Sequence, residues 1–147
     1  MKRILMLLIV VVTACKAGAQ QPVKWTASVK PIKDKVFEIR LTATITEGWY
    51  IYSQFMENNG PEPTNVTYDR NQIDTIGQAI EIGKIQQKYD SLFDTEIKFY
   101  YNKVEFVQQV KVKKKLPLTL TASVTYMGCN AQMCMPPREE KFKVILK

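Results

Sequence analysis

Apolar and polar side chains alternate with period two over most of the chain after residue 19. This alternation is typical of β-strands that bury one face of a sheet. The clearest run is Leu118–Tyr126, in which apolar residues alternate with serine and threonine. Further strands are predicted, in chain order, at Val23–Val29, Phe37–Ile45, Trp49–Ser53, Val66–Tyr68 and Phe142–Leu146.

The middle of the chain is less regular. Residues 57–64 contain a glycine and two prolines, which oppose strand pairing and predict a loop. The isoleucines of residues 70–92 follow neither a helical nor a strand period, so short strands and loops are predicted there. The alternation returns over Ile97–Val112, where the dipeptide Asn102-Lys103 predicts a hairpin turn.

These patterns predict an all-β domain of about eight strands, because no segment has a convincing helical period. The 147 residues are enough for one domain with a hydrophobic core and too few for two comfortable ones. Short strands separated by turn signals favour a sandwich of two antiparallel sheets. A closed barrel is the alternative that the pattern leaves open.

Residues 1–19 have the organisation of a secretory signal. Two basic residues precede the apolar run Ile4–Val12, which is too short for a bilayer that needs about 20 residues. The small residues up to Ala19 favour cleavage there, which leaves residues 20–147 as the exported domain. Alternatively, Val12–Cys15 is a lipoprotein signal, and Cys15 becomes a lipid-modified N-terminus that anchors the domain to a membrane.

The charge of the chain gives little indication of a nucleic-acid partner. The formal net charge is +7, and removal of the signal leaves 18 basic and 14 acidic residues, a net charge of +4. The excess is concentrated at Lys111 and Lys113–Lys115, at the predicted end of one strand. We interpret this cluster as a solvated strand end that opposes edge pairing rather than as a nucleic-acid site.

Cys129 and Cys134 are the only cysteines outside the N-terminal segment. In an oxidising compartment two neighbouring cysteines tend to pair. If they flank a tight hairpin, their Cα atoms would lie about 4.5–5.5 Å apart, which permits a disulfide. A ring of about six residues contributes only roughly 2 kcal/mol by the chain-entropy model. A redox function is therefore favoured over a purely structural staple.

Two other functions remain open for this loop. Thiolate and thioether sulfurs are ligands that Cu(I) prefers, so Cys129, Cys134, Met133 and Met135 could bind copper. The domain could also be a non-catalytic interaction module in which the disulfide is structural. The chain contains no histidine, which excludes most zinc sites and any Cys–His nucleophile pair.

Three segments resemble the N-terminal domain of the thiol:disulfide interchange protein DsbD. The most specific is Val-Thr-Tyr-Met-Gly-Cys at residues 124–129, followed by Cys-Met-Pro-Pro at residues 134–137. The others are Gly48–Tyr52 and Phe93–Phe106. The cysteine spacing is one residue shorter than in the best-known members of the family.

The resemblance implies an immunoglobulin-like sandwich in the bacterial periplasm. It implies that Cys129 and Cys134 pass electrons from a membrane thiol:disulfide reductase to thioredoxin-like proteins, both acting in trans, without a cofactor. A cap loop that covers the disulfide would correspond to Tyr89–Asp94, with Phe93 as the capping side chain. The supporting residues implied by the resemblance are Asp90, Asp94, Tyr100 and Tyr126.

Overall fold

The computed structural model describes residues 21–56, 60–91 and 93–147, so the signal and the lipidation alternative at Cys15 lie outside the described residues. Within them there is no helix, and hence no helix long and apolar enough to cross a membrane. The described strands are β1 (Val23–Lys33), β2 (Val36–Ile45), β3 (Tyr50–Tyr52), β4 (Asn65–Tyr68), β5 (Ile73–Asp90), β6 (Thr95–Val112), β7 (Leu118–Tyr126), β8 (Gly128–Cys129) and β9 (Arg138–Leu146).

The strands form two separate antiparallel sheets. The larger sheet has the order β1-β2-β6-β3-β8, and β5 pairs with the other side of β6. The smaller sheet has the order β4-β7-β9. The predicted all-β antiparallel sandwich is therefore confirmed.

The hydrophobic core lies between the sheets, on the faces that the alternating pattern predicts. Leu41 in β2, Phe106 in β6, and Leu120 and Val124 in β7 are almost completely buried, whereas their polar neighbours point outward. Trp25 covers one end of this core, with its ring centroid 5.6 Å from that of Phe106. Burial of this apolar surface is the main stabilising contribution to the fold.

The predicted hairpin turn at Asn102-Lys103 is wrong, because β6 continues through these residues. On one side β6 changes its partner here: Tyr100 pairs with Ile51 of β3, and Lys103 pairs with Thr44 of β2. Asn102 has a φ of 60°, a left-handed conformation that asparagine tolerates better than most residues. The left-handed asparagine that suggested a turn therefore marks the point where β6 changes its paired strand, and the chain does not reverse there.

The prediction of short strands and loops over residues 70–92 is also wrong, since β5 is one long strand along β6. Its register shifts between Ile76 and Ile80 and again between Gly83 and Ile85. Each irregularity resets which residues face the core. The strand consequently lacks a constant period in its sequence.

Four charged residues form an ion network on the outer face of the larger sheet. Arg40 of β2 contacts both Glu38 and Glu105, and Lys103 Nζ lies 2.7 Å from Glu105 Oε1. Hydrogen bonds from Lys103 and Arg40 outweigh partial burial and lower the pKa of Glu105. The network joins β2 to β6, the strand that also pairs with β3.

Glu105→Gln is expected to lower the free energy of unfolding by about 1 kcal/mol at neutral pH. Because the pKa of Glu105 is depressed in the folded state, its contribution is present above the unfolded-state pKa and is lost as the pH falls through the folded-state pKa. The difference between wild type and variant should therefore shrink below about pH 4. Urea unfolding at several pH values measures it, and a difference independent of pH would contradict this electrostatic role.

Candidate redox site

Cys129 and Cys134 form a disulfide at one end of the sandwich. The two residues pair as an antiparallel bridge with their Cα atoms 4.0 Å apart. The predicted opposition of the two cysteines is confirmed, and their Cα atoms are closer than the expected separation of about 4.5–5.5 Å. Cys129 belongs to β8, where it pairs with Tyr50 of β3, whereas Cys134 lies outside the strands.

The loop between the cysteines is closed by its own hydrogen bonds. Asn130 Oδ1 accepts the backbone N–H groups of Gln132 and Met133, each at 2.9 Å, and Asn130 N–H donates to the carbonyl of Met133. Met135 N–H donates to the carbonyl of Gly128 at 2.8 Å. An asparagine that caps its own turn in this way is typical of tight loops. None of these bonds involves a sulfur atom, so they restrain the loop in addition to the disulfide.

The two cysteines differ sharply in exposure. Cys129 is fully buried in a small apolar cluster with Tyr52, Ile97 and Phe99, whereas Cys134 is exposed. Thiol–disulfide exchange requires a thiolate to reach one sulfur of the bond. An external thiolate therefore meets the Cys134 side of the disulfide.

The side chain of Tyr52 contacts both sulfurs of the disulfide. Its hydroxyl oxygen lies 3.6 Å from Cys129 Sγ and 4.0 Å from Cys134 Sγ. Neither sulfur of a disulfide carries a proton, so the phenol is the donor. Burial, followed by the contact with Tyr50, raises the pKa of Tyr52 well above its ordinary value. The hydroxyl therefore stays protonated at physiological pH and can donate a hydrogen bond to a thiolate.

An aromatic surface adjoins the disulfide. Tyr50 packs against Phe99 and Tyr101, with ring centroids 4.9 Å and 5.7 Å away, and Tyr101 is partly exposed. Lys88 of β5 places its Nζ 5.6 Å from the centroid of Phe99. Aromatic side chains of this kind are enriched in protein-binding surfaces.

Sequence comparison assigns the chain to a family. A family model described as Thiol:disulfide interchange protein DsbD, N-terminal, matches residues 19–146. The chain belongs to this family. No protein of curated function matches it.

Solved structures of two bacterial domains share the fold. The reduced DsbD N-terminal domain of Neisseria meningitidis is 17% identical, with a TM-score of 0.54 over 82% of this chain and 84% of that one. The N-terminal periplasmic domain of ScsB from Proteus mirabilis is 14% identical, with a TM-score of 0.62 over 86% of this chain and 47% of that one. At these identities the likeness shows the fold alone, which is immunoglobulin-like.

The cap residues implied by the DsbD resemblance lie together in the turn that joins β5 to β6. Phe93 is half-buried in this turn, and Asp90 ends β5 just before it. Asp94 has a φ of 53° and accepts a hydrogen bond from the hydroxyl of the exposed Tyr89. The three residues are thus neighbours, and their role as a cap stays a prediction.

Tyr100 and Tyr126, the other two implied supporting residues, lie in the larger core cluster and not in the cluster around Cys129. The Tyr100 hydroxyl donates to Glu81 Oε2 at 2.7 Å. Tyr126 packs against Trp25, with ring centroids 5.2 Å apart. Any effect of these two tyrosines on the cysteines would therefore be indirect.

The methionines predicted as copper ligands have different surroundings. Met133 is 55% exposed, whereas Met135 is half-buried. Among the described residues no group of three or more histidine, cysteine or acidic side chains could hold a metal ion. Copper binding by the cysteines stays a prediction that would require prior reduction, because only the thiolates are good ligands.

Sequence reasoning did not identify Tyr52 as part of the site. The available signal was its position in Gly48–Tyr52, one of the three segments that resemble the family. Its proximity to Cys129 depends on the pairing of β3 with β8, in which Tyr50 lies opposite Cys129. Pairing between strands so far apart in the chain cannot be read from local periodicity.

Proposed function

We propose that this domain exchanges disulfides with other proteins through reversible oxidation and reduction of Cys129 and Cys134. The observation that carries the proposal is a short-ring disulfide with one exposed and one buried cysteine, in a chain of the DsbD N-terminal family. This arrangement gives an incoming thiolate one accessible target and gives the buried sulfur the role of leaving group.

The oxidised domain would accept electrons in two steps. First, a partner thiolate attacks Cys134 Sγ, a bond forms between the two sulfurs, and the bond from Cys134 to Cys129 breaks. Cys129 leaves with the electron pair as a thiolate, to which the Tyr52 hydroxyl can donate. A hydrogen bond to the charged form favours that form and so assists its departure.

In the second step a second thiolate of the partner attacks the partner sulfur that is bonded to Cys134 Sγ in the mixed disulfide. Cys134 then leaves as a thiolate, and both cysteines finally take up protons from water. The partner has lost two electrons and holds a disulfide, whereas the domain has gained two electrons and holds a dithiol. Reduction of an oxidised partner runs through the same steps in reverse, with Cys134 as the attacking thiolate.

The proposed setting is the periplasm, where electrons would come from a membrane thiol:disulfide reductase in trans and pass to thioredoxin-like proteins. Family membership supports this setting, as does the secretory signal predicted at residues 1–19. Either proposed N-terminus, a free one after Ala19 or a lipidated one at Cys15, leaves the domain on the same side of the membrane.

A direct test is to mix the oxidised domain with an excess of a reduced thioredoxin-like protein and then to alkylate the free thiols. Mass spectrometry of the products measures the number of alkylated cysteines in each protein. We expect two alkylated cysteines per domain and a stoichiometric loss of thiols from the partner. A double variant Cys129→Ser/Cys134→Ser controls for alkylation elsewhere. A folded domain whose disulfide resists both the partner and strong reductant would contradict the proposal.

Phe93, flanked by Asp90 and Asp94, is proposed to cover the reduced cysteines when no partner is bound. Its half-burial in the β5–β6 turn supports a side chain that can be displaced at modest cost. Phe93→Ala is then expected to speed oxidation of the dithiol by a small oxidant about threefold or more, because an apolar cover limits access. Stopped-flow reaction with peroxide measures the rate, and Phe55→Ala, at another partly exposed phenylalanine, is the control.

A further inference from the structure

The carboxylate of Glu81 in β5 joins β6 to the loop that follows β3. One oxygen of its carboxylate accepts hydrogen bonds from the hydroxyls of Ser53 and Tyr100, both at 2.7 Å. The other oxygen accepts the backbone N–H of Gln54 at 2.6 Å. Glu81 therefore connects an edge strand to the chain directly after Tyr52 and to β6.

The segment that Glu81 holds has little other support from strand pairing. β3 contains only three residues, and its ladder with β6 ends at Tyr52. Beyond it, Ser53 N–H donates to the carbonyl of Lys98 at 3.0 Å, and the Thr64 hydroxyl donates to the carbonyl of Tyr52 at 2.6 Å. Beyond its ladder, the end of β3 is thus held by one backbone hydrogen bond and by three hydrogen bonds that involve side chains, two of which Glu81 accepts.

We infer that Glu81 is a positioning residue for thiol–disulfide exchange, acting through β3 to hold the Tyr52 hydroxyl against Cys129 Sγ. The inference rests on the proposed function. Glu81 acts through its neighbours and not by contact with the cysteines: its carboxylate accepts hydrogen bonds from Ser53 and Gln54, the two residues that follow Tyr52. The tyrosine hydroxyl lies at the far end of a long side chain, so a small shift of this backbone moves it relative to the sulfurs.

To assist reduction of the disulfide, the Tyr52 hydroxyl must lie close to Cys129 Sγ as the thiolate forms there. The contact between the Tyr52 oxygen and Cys129 Sγ is 3.6 Å long, and a hydrogen bond weakens as its distance and angle depart from the favoured geometry. A group displaced by about 1 Å can cost as much as 10²-fold in rate. Tyr100, a residue that the DsbD resemblance implies as a support, then acts on the same junction, since its hydroxyl shares an oxygen of Glu81 with Ser53.

The test is a double-mutant cycle on the rate at which dithiothreitol reduces the Cys129–Cys134 disulfide. Glutamine at position 81 keeps the shape of the side chain but replaces one acceptor oxygen by an NH2 donor. Either the Gln54 N–H then loses its acceptor, or the hydroxyls of Ser53 and Tyr100 must turn to accept from the amide, which rearranges the junction. We expect Glu81→Gln to slow reduction about tenfold in the wild-type background. In the Tyr52→Phe background, where no hydroxyl remains to be positioned, the same substitution should leave the rate almost unchanged.

Glu47→Gln, at an exposed position in the β2–β3 turn, is the matched control and should react like the wild type. Ser53→Ala removes one of the three hydrogen bonds to Glu81 and covers the case in which Glu81→Gln does not fold. Ser53→Ala should slow reduction less than Glu81→Gln does, and it too should have almost no effect in the Tyr52→Phe background. Equal slowing by Glu81→Gln in both backgrounds, or no slowing in a folded variant, would overturn the inference.

The outcomes separate this inference from the proposed function. Dithiothreitol needs no protein partner, so the cycle reports on Glu81 whether or not a thioredoxin-like protein reacts. If the oxidised domain reacts normally with dithiothreitol but not with a reduced thioredoxin-like protein, the result would contradict the exchange function alone. A rate that responds to Glu81→Gln without regard to Tyr52 would contradict the positioning role alone.

Discussion

Cys129→Ser is expected to accumulate a mixed disulfide with an oxidised thioredoxin-like protein, whereas Cys134→Ser is expected to form almost none. Cys134 is exposed and can attack the partner, but the resulting bond persists when Cys129 is absent to resolve it. Cys129 is fully buried among aromatic and aliphatic side chains, and a thiolate there cannot reach a protein disulfide. The yields should differ by about 10²-fold, because exchange depends on access to the attacking thiol.

Non-reducing electrophoresis followed by mass spectrometry measures the two yields and identifies the linked cysteine. Circular dichroism of both variants controls for folding, since each loses the same disulfide. Similar yields from the two variants would contradict the assignment of Cys134 as the attacking residue. A higher yield from Cys134→Ser would reverse the assignment.

Tyr126→Ala is expected to lower the free energy of unfolding by about 3–5 kcal/mol, the usual cost of deleting a large buried aromatic side chain. Tyr126 is 2% exposed and packs against Trp25 in the larger core cluster. Tyr126→Phe should be neutral or slightly stabilising, because within the described residues the buried hydroxyl makes no hydrogen bond of good geometry. The expected role of Tyr126 is therefore to hold the sandwich together.

Chemical denaturation of the two variants measures these changes, and reduction by dithiothreitol provides an independent readout. If the core role is correct, Tyr126→Phe should react at the wild-type rate. A folded Tyr126→Phe protein with a slower reaction would instead support the direct contribution to the site that the DsbD resemblance implies. The two readouts thus distinguish a packing residue from a supporting residue of the disulfide.

Local patterns predicted the fold well where one strand keeps one register. β7 follows its predicted bounds, Leu118–Tyr126, because its alternation runs without interruption between the two sheet faces. β5 was not predicted as one strand, since its bulges near Gly77 and Gly83 reset the alternation. A bulge depends on the partner strand, so it has no reliable signature in the sequence of one strand alone.

The residues of the candidate site also divide into those that local sequence predicted and those that it did not. The disulfide was predictable because Cys129 and Cys134 are close in sequence and flank a turn. Tyr52 and Glu81 were not predicted as site residues, since their positions depend on the pairing of β3 with β8 and on the route of β5 along β6. The chemistry of the loop is local, but the arrangement that supports it comes from distant strands.

The hydrogen bonds of Asn130 have a consequence for the energetics of the redox cycle. Because they close the loop without the disulfide, the reduced cysteines are expected to remain near each other, so that closing the ring again requires little loss of chain entropy. The two thiols then behave as an intramolecular pair with a high effective molarity. Asn130 would in this way favour re-formation of the disulfide. The turn therefore contributes to the equilibrium between the dithiol and the disulfide as well as to the conformation of the loop.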